Sequence, residues 1–210
     1  MKREEKNALS RQRILDAAME EFSRRGYEGA SLNTVCAEKG ISKGIIYHYF
    51  RDKDELYLLC VKTCFDAVTA YLRDTVGSLT GSPEARLKAY FDARLRFFAA
   101  HPVYLGIFSG ASFDPPAALS AEMAECRGDF DRLNISVLTE LLESAPMRKG
   151  LSVEAVVEDF RLYMDYFNLH FRAHSPEALS PELRLKNHEE RCHRQLDILL
   201  YGVLGEVHEP

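Results

Sequence analysis

At 210 residues, with 46% hydrophobic and 28% charged side chains, the chain suits one large domain, or a small domain joined to a larger one, and is too apolar for wholesale disorder. No apolar run approaches the roughly 20 residues that a membrane span requires, and the N-terminal stretch lacks the apolar core of a secretory signal. The net charge of −5 excludes a general cationic field for nucleic acid: the first 57 residues carry 11 Lys/Arg against 10 Asp/Glu, and the acidic excess lies beyond them. Any phosphate contact therefore depends on a few placed residues. The five cysteines, Cys36, Cys60, Cys64, Cys126 and Cys192, are odd in number and match no disulfide framework, so reduced thiols in a cytoplasmic protein are expected.

Helical spacing recurs throughout and alternating β-branched runs are scarce, which predicts an all-α chain of about nine helices. The first helix is predicted over residues 8–25, with Ile14, Ala18 and Phe22 at four-residue steps, Leu15 and Met19 beside them, and Gly26 as a stop. Ser31 can cap a short helix over 32–39, with Val35 and Cys36 inward and Gly40 at its end. Ser42 can cap another over 43–49. Asp52 and Glu55 have capping-box spacing for a fourth helix, with Leu56, Leu59, Cys60, Thr63, Ala67 and Ala70 as its apolar face, running past Tyr71. Residues 77–83 form the clearest break. Further helices are predicted over 83–100, 102–109, 117–144, 153–173 and 182–204, separated by His101-Pro102, Asp114-Pro115-Pro116, Pro146 with Gly150, and the stretch from Ser175-Pro176 to Pro181.

The informative stretch runs from Ser31 to Phe50. Two short helices joined by a tight glycine turn read as a helix-turn-helix. Cys36 is small enough for close helix packing, and Ile41, Ile45 and Phe50 are the expected core anchors. Ser42, Lys43, Gly44, Tyr47 and His48 lie on or near one short helix, which is unusual for a core hairpin. A helix start offers free N–H groups and a positive dipole end to phosphate, Tyr47 and His48 can donate to phosphate oxygens, and Lys43 reaches a phosphate or a base edge. Lys53 adds a donor at the next helix. Ser31, Asn33 and Thr34, at the start of the second helix, complete the candidate DNA contacts, and Ile45 is included as a side chain able to touch a thymine methyl. Lys2, Arg3 and Lys6 make a basic arm expected to be solvated.

The string over residues 14–56, with Phe22 before Gly26-Tyr27, the Gly40-Ile41-Ser42-Lys43-Gly44 turn, and Tyr47-His48-Tyr49-Phe50 followed by Lys53 and Leu56, resembles the DNA-binding domain of the TetR family. Cys36 and Lys39 stand where that family more often has alanine, and Ile45 where a small or hydroxylated residue is common. The resemblance implies a helix-turn-helix DNA-binding domain over 1–54 and a helical effector-binding and dimerisation domain over 55–210. It implies a homodimer on a palindromic double-stranded operator and release of DNA by an unknown small-molecule effector. No cofactor, membrane or catalytic role is expected. A helical small-molecule enzyme or carrier is the alternative, without a nucleophile–base pair or phosphate loop in the sequence to support it.

On helices 8 and 9, Val156, Phe160, Met164, Phe167 and Phe171 form one apolar stripe and Leu196, Leu199, Leu200 and Val203 another, the expected dimer surfaces. Both stripes also suit core within one chain. The resemblance further implies a cavity among helices 4 to 8. The aromatic residues Phe65, Phe97, Phe98, Tyr104, Phe108, Phe130 and Phe167, with the polar Arg94, His101, Asn134, Asn168 and His170, are its candidate lining, suited to an apolar or aromatic molecule. His170 and His174, and His188 and Cys192, stand four apart on helices. Polar residues near helix ends are the favoured reading, and no metal site is assigned.

Overall fold

The computed structural model describes residues 3–38, 40–174 and 179–203, and among these its regular elements are helices: α1 (Arg3–Gly29), α2 (Leu32–Glu38), α3 (Lys43–Tyr49), α4 (Lys53–Val76), α5 (Pro83–Ala100), α6 (Pro102–Phe113), α7 (Ser120–Glu143), α8 (Val153–His174) and α9 (Pro181–Val203). A short 3₁₀ turn, Ala117–Leu119, precedes α7. Among the described residues no helix is long and apolar enough to cross a membrane. The all-α class and the number of helices agree with the sequence reading. The largest difference is at α1, which begins before residue 8 and resumes for a turn after a kink at Gly26 (φ 65°, a backbone that only glycine adopts without strain). Lys2, Lys39 and residues 175–178, for which expectations were stated, lie outside the described residues.

The helices form two compact units, Met1–Ala67 with His101–Gly128, and Val68–Ala100 with Asp129–Pro210. The first holds α1 to α3, most of α4, α6 and the start of α7, so the unit containing the helix-turn-helix extends beyond residue 54. Ile14, Ala18 and Phe22 are buried at its centre, as their spacing predicts, with Leu56, Tyr57, Cys60, Val61, Cys64 and Phe65 from α4. The buried face of α4 is displaced from the predicted stripe: Tyr57, Val61, Cys64 and Phe65 are inward, while Ala70 is exposed. Large apolar residues set the phase, and the alanines were not informative. Phe22 packs edge-on and Tyr27 at a tilt against Tyr57, at 4.9 and 5.0 Å between centroids.

Close packing of α6 on α1 completes this unit. A Cβ added at Gly106 would stand 2.1 Å from Ser23 Oγ and 2.5 Å from the Ser23 carbonyl oxygen, so only glycine fits there. The second unit is a helical bundle in which α5 packs on α9. Leu87, Tyr90, Phe91, Phe97 and Phe98 of α5 are buried, as are Val156, Phe167 and Phe171 of α8 and Leu185, Leu196 and Leu200 of α9.

Candidate nucleic-acid interface and a buried polar cluster

The helix-turn-helix is fixed by local hydrogen bonds that its sequence supplies. Ser31 Oγ accepts the Asn33 N–H at 3.2 Å, and the Ser31 N–H donates to the Glu21 carboxylate at 3.0 Å, tying the start of α2 to α1. Gly40 (φ 61°) turns the chain. Ser42 Oγ then accepts the Ile45 N–H at 3.3 Å, the side-chain cap that opens α3. At α4, Asp52 accepts the Glu55 N–H at 2.9 Å, while Glu55 reaches back to the Arg51 N–H at 2.7 Å. This is a capping box displaced by one residue at its return bond.

Burial sorts α3 into two faces. Ile46 and Phe50 are fully enclosed and Ile41 is buried. Ser42, Lys43, Gly44, Ile45, Tyr47 and His48 are exposed. The expectation that Ile45 anchors the core is thus corrected: Ile46, one helical turn before Phe50, fills that place, and Ile45 faces outward beside Tyr47. Lys43 Nζ lies 6.0 Å from the centre of the Tyr47 ring on the same exposed face. At the edges of the motif Asn33 is exposed, and Ser31 and Thr34 are half-buried.

Four contacts that the sequence did not signal brace this head at two places. The Tyr27 hydroxyl donates to Asp54, and Lys53 Nζ sits 4.5 Å over the Tyr27 ring, so the candidate phosphate donor Lys53 is held at the mouth of α4. The hydrogen bond to Asp54, with lesser help from burial, pushes the Tyr27 phenol up to about 12. Near the other end of α3, the Tyr49 hydroxyl donates to Asn7 at 3.2 Å and the Arg11 guanidinium lies 5.3 Å from the Phe50 ring centre. The early start of α1 therefore buttresses α3.

The effector candidates divide between the two units. Phe65, His101, Tyr104 and Phe108 belong to the first, where Phe65 and Phe108 are buried against each other and His101 is exposed beside Tyr104. The other eight belong to the second. There Phe97 and Phe98 are buried, and Arg94, Phe130, Asn134, Phe167 and Asn168 converge with residues of α9. His170 stacks instead with Tyr166 and His174 along α8, outside that convergence.

The convergence is a chain of polar groups inside an apolar bundle. Arg94 of α5 places Nη2 3.0 Å from Glu189 Oε2 of α9, both side chains at most 8% exposed. Glu189 Oε1 is 3.3 Å from His188 Nδ1, and His188 Nε2 is 2.8 Å from Asn168 Oδ1 of α8. The Tyr90 hydroxyl donates to Asn134 Oδ1 of α7 at 2.9 Å. The rings of Phe91, Phe130 and Tyr90 surround the Arg94 guanidinium at 4.9, 5.5 and 5.6 Å. Burial pushes the Glu189 carboxyl up, but Arg94 and His188 more than offset it, leaving it below the usual carboxylate value. Glu189 and His188 were not among the predicted lining residues. Cys192, with Sγ 3.8 Å from His188, is buried and its thiol is pushed up by burial. Among the described residues no three metal-ligating side chains cluster.

The expected dimer stripes are largely covered within their own chain. Val156, Phe167, Phe171, Leu196 and Leu200 are buried, and Phe160, Met164, Leu199 and Val203 are half-buried. A second apolar set, Leu162, Tyr166 and Leu169 on α8 with Ile198 and Tyr201 on α9, is exposed by 58–73%.

Residues 14–60 match the model of the family "Bacterial regulatory proteins, tetR family". The chain is 26% identical over 165 residues to the biofilm operon negative transcriptional regulator IcaR of Staphylococcus epidermidis, covering 76% of this chain and 83% of that protein. It is 27% identical over 160 residues to the transcriptional regulator BetI of Escherichia coli, covering 72% and 80%. The fold is similar to that of the regulator FadR from Bacillus subtilis in complex with stearoyl-CoA, with a TM-score of 0.61 at 15% identity over 86% of this chain and 96% of that one. It is also similar to the ketosteroid regulator KstR2 of Mycobacterium tuberculosis, with a TM-score of 0.54 at 21% identity over 93% and 95%.

Proposed function

Because the chain belongs to the TetR family of DNA-binding transcriptional regulators, we propose that it acts as a homodimeric repressor released from a palindromic operator by a small effector with a large apolar or aromatic part. The observation that carries the DNA-binding half is the two-faced α3. A buried back of Ile46 and Phe50 holds an exposed front of Ser42, Lys43, Gly44, Ile45, Tyr47 and His48 in fixed orientation. The front presents donors to phosphate, one cation, and an isoleucine suited to a thymine methyl. Ser31, Asn33, Thr34 and Lys53 flank it. One such short helix reads few bases, and a two-fold pair doubles the contacts, on half-sites about one helical turn of DNA apart.

The exposed apolar set of Leu162, Tyr166, Leu169, Ile198 and Tyr201 is the proposed seam between two copies, with the half-buried Phe160, Met164, Leu199 and Val203 in support. A negative regulator among the relatives, IcaR, supports repression. The acyl-CoA held by FadR and the ketosteroid in the name of KstR2 support an effector with a large apolar body. α4 contributes to both compact units as one continuous helix, and in this mechanism it carries the effector's preference for one conformation to the reading head. To switch from mostly bound to mostly free, the effector must distinguish the two conformations by about 5 kcal/mol.

Sedimentation velocity of the purified protein, alone and with duplex DNA carrying its selected site, tests this reading. The wild type sediments as a dimer, and a Leu162→Glu/Leu169→Glu variant sediments as a folded monomer with at least about a hundredfold weaker binding to the two-half-site duplex. A wild-type monomer that binds the site as tightly as proposed for the pair overturns the dimer.

A further inference from the structure

The polar chain in the second unit lies where a helical bundle is most stable when apolar. Replacing a buried ion pair by apolar side chains of similar volume is often neutral or stabilising, so stability alone does not account for Arg94 and Glu189. Their mutual geometry is also incomplete. Among the described residues, the Arg94 Nε–H and Glu189 Oε2 are buried without a hydrogen-bond partner, although the two groups form an ion pair at 3.0 Å. A guanidinium normally presents Nε–H and one Nη–H as a parallel pair that fits both oxygens of one carboxylate. Here only Nη2 is engaged, and by one oxygen. Glu189 does not depend on Arg94 alone, because its other oxygen contacts His188, which Asn168 holds in turn. Phe91, Phe130 and Tyr90 supply apolar surface directly around the guanidinium.

We propose that Arg94 is the anchor for a carboxylate-bearing effector, whose two oxygens take the Nε/Nη2 edge of the guanidinium and displace Glu189 onto His188, while its apolar or aromatic body packs among Phe91, Phe130 and Phe167. This rests on the effector reading above and narrows its chemistry to organic monoanions. The exchange has a mechanical consequence within this unit. Arg94–Glu189 is an ionic tie between α5 and α9, and a ligand that takes Arg94 replaces it with a tie from α5 to the ligand. A neutral analogue of the same shape gains the apolar contacts but leaves the ion pair intact.

The test uses matched probes: 2-naphthoate against 2-naphthamide, and decanoate against decanol, at up to millimolar concentration, by calorimetry and thermal shift on the full chain. The expected result is that the carboxylates bind at least about tenfold more tightly than their neutral partners. Glu189→Gln, which leaves the guanidinium without its competitor, tightens carboxylate binding, and Arg94→Met/Glu189→Met removes the preference. The double variant avoids leaving either charge buried alone, so it stays folded, which circular dichroism and a cooperative melt report independently of any ligand. Equal binding of acids and neutral analogues, binding of neither class, or an unchanged acid preference in the double variant overturns the proposal. Neutral probes that bind and release DNA while acids do not overturn the anionic anchor yet leave the effector-controlled regulator standing. Loss of specific DNA binding by the wild type is instead a failure of the regulator reading.

Discussion

The Glu21 carboxylate, enclosed inside α1, accepts the backbone N–H of Ser31 at 3.0 Å and so fixes where α2 begins. Arg24 and Arg25 approach its other oxygen at 3.8 and 3.6 Å from the solvent side. The bond links the longest helix of the first unit to the scaffold on which α3 rests. Glu21→Ala leaves the Ser31 N–H without its acceptor and opens a cavity, at a cost of about 1–3 kcal/mol. Urea unfolding followed by circular dichroism is expected to show that loss, with Glu21→Gln retaining most of the stability because an amide oxygen still accepts the bond.

At Gly106 the constraint is steric. With the Ser23 carbonyl oxygen 2.5 Å from the position a Cβ would take, Gly106→Ala has to push α6 away from α1. Overpacking of this kind costs about 1–3 kcal/mol, or roughly 3–10 °C in Tm for a chain of this size. A Ser23→Gly/Gly106→Ala double variant regains part of the loss, since the Oγ clash is removed and the backbone clash is not. Differential scanning calorimetry of the single and double variants measures both.

On the exposed face of α3, charge and neutrality separate two roles. Lys43→Ala is expected to lower the slope of log K against log salt by about one unit if its ammonium pairs with phosphate. Tyr47→Ala weakens binding to all sequences alike and leaves the slope nearly unchanged, because the phenol is neutral. Fluorescence anisotropy with a selected duplex at several salt concentrations distinguishes the two, and both variants keep wild-type Tm because neither side chain is buried.

Acid stability reports on the buried pair. Glu189 titrates below its ordinary carboxylate value when folded, despite the opposing effect of burial, because of Arg94 and His188. Its contribution is therefore complete above the unfolded carboxylate pKa, near 4.3, and is lost as pH falls through the lower folded value. Tm is expected to decline as pH drops below about 5, and the decline to be shallower in Arg94→Met/Glu189→Met, which has no carboxylate to protonate. Thermal melts from pH 7 to pH 3.5 check this.

Local chemistry made much of this molecule legible in its sequence. The boundaries of α3 and α5 follow from Ser42, Phe50, Pro83 and His101-Pro102, signals that act within a turn of the residue concerned. Phase was harder. Ile45 and Ile46 are identical neighbours, and only the position of Phe50 and the packing of α2 decide which is inward. On α4, counting alanines as core misplaced the stripe that Tyr57, Val61, Cys64 and Phe65 set. Partnerships between distant residues left no local trace. A glutamate four residues before an arginine, as Glu21 is before Arg25, reads as a solvated helix pair. Glu189, in the polar run from Lys186 to Arg191, also reads as solvated until Arg94 is seen beside it. Gly106 reads as a weak spot in an apolar helix rather than as the place where another backbone passes.

Selection of bound sequences from a pool of random duplex DNA, using the full chain, is the most direct measurement of whether the α3 face reads DNA as one of a pair. The enriched sequences are expected to converge on an inverted repeat with half-site centres one or two helical turns apart, and Lys43→Ala/Tyr47→Ala to abolish the enrichment. A pool that stays random with the wild-type protein, or one that converges equally well with the α3 variant, contradicts the account.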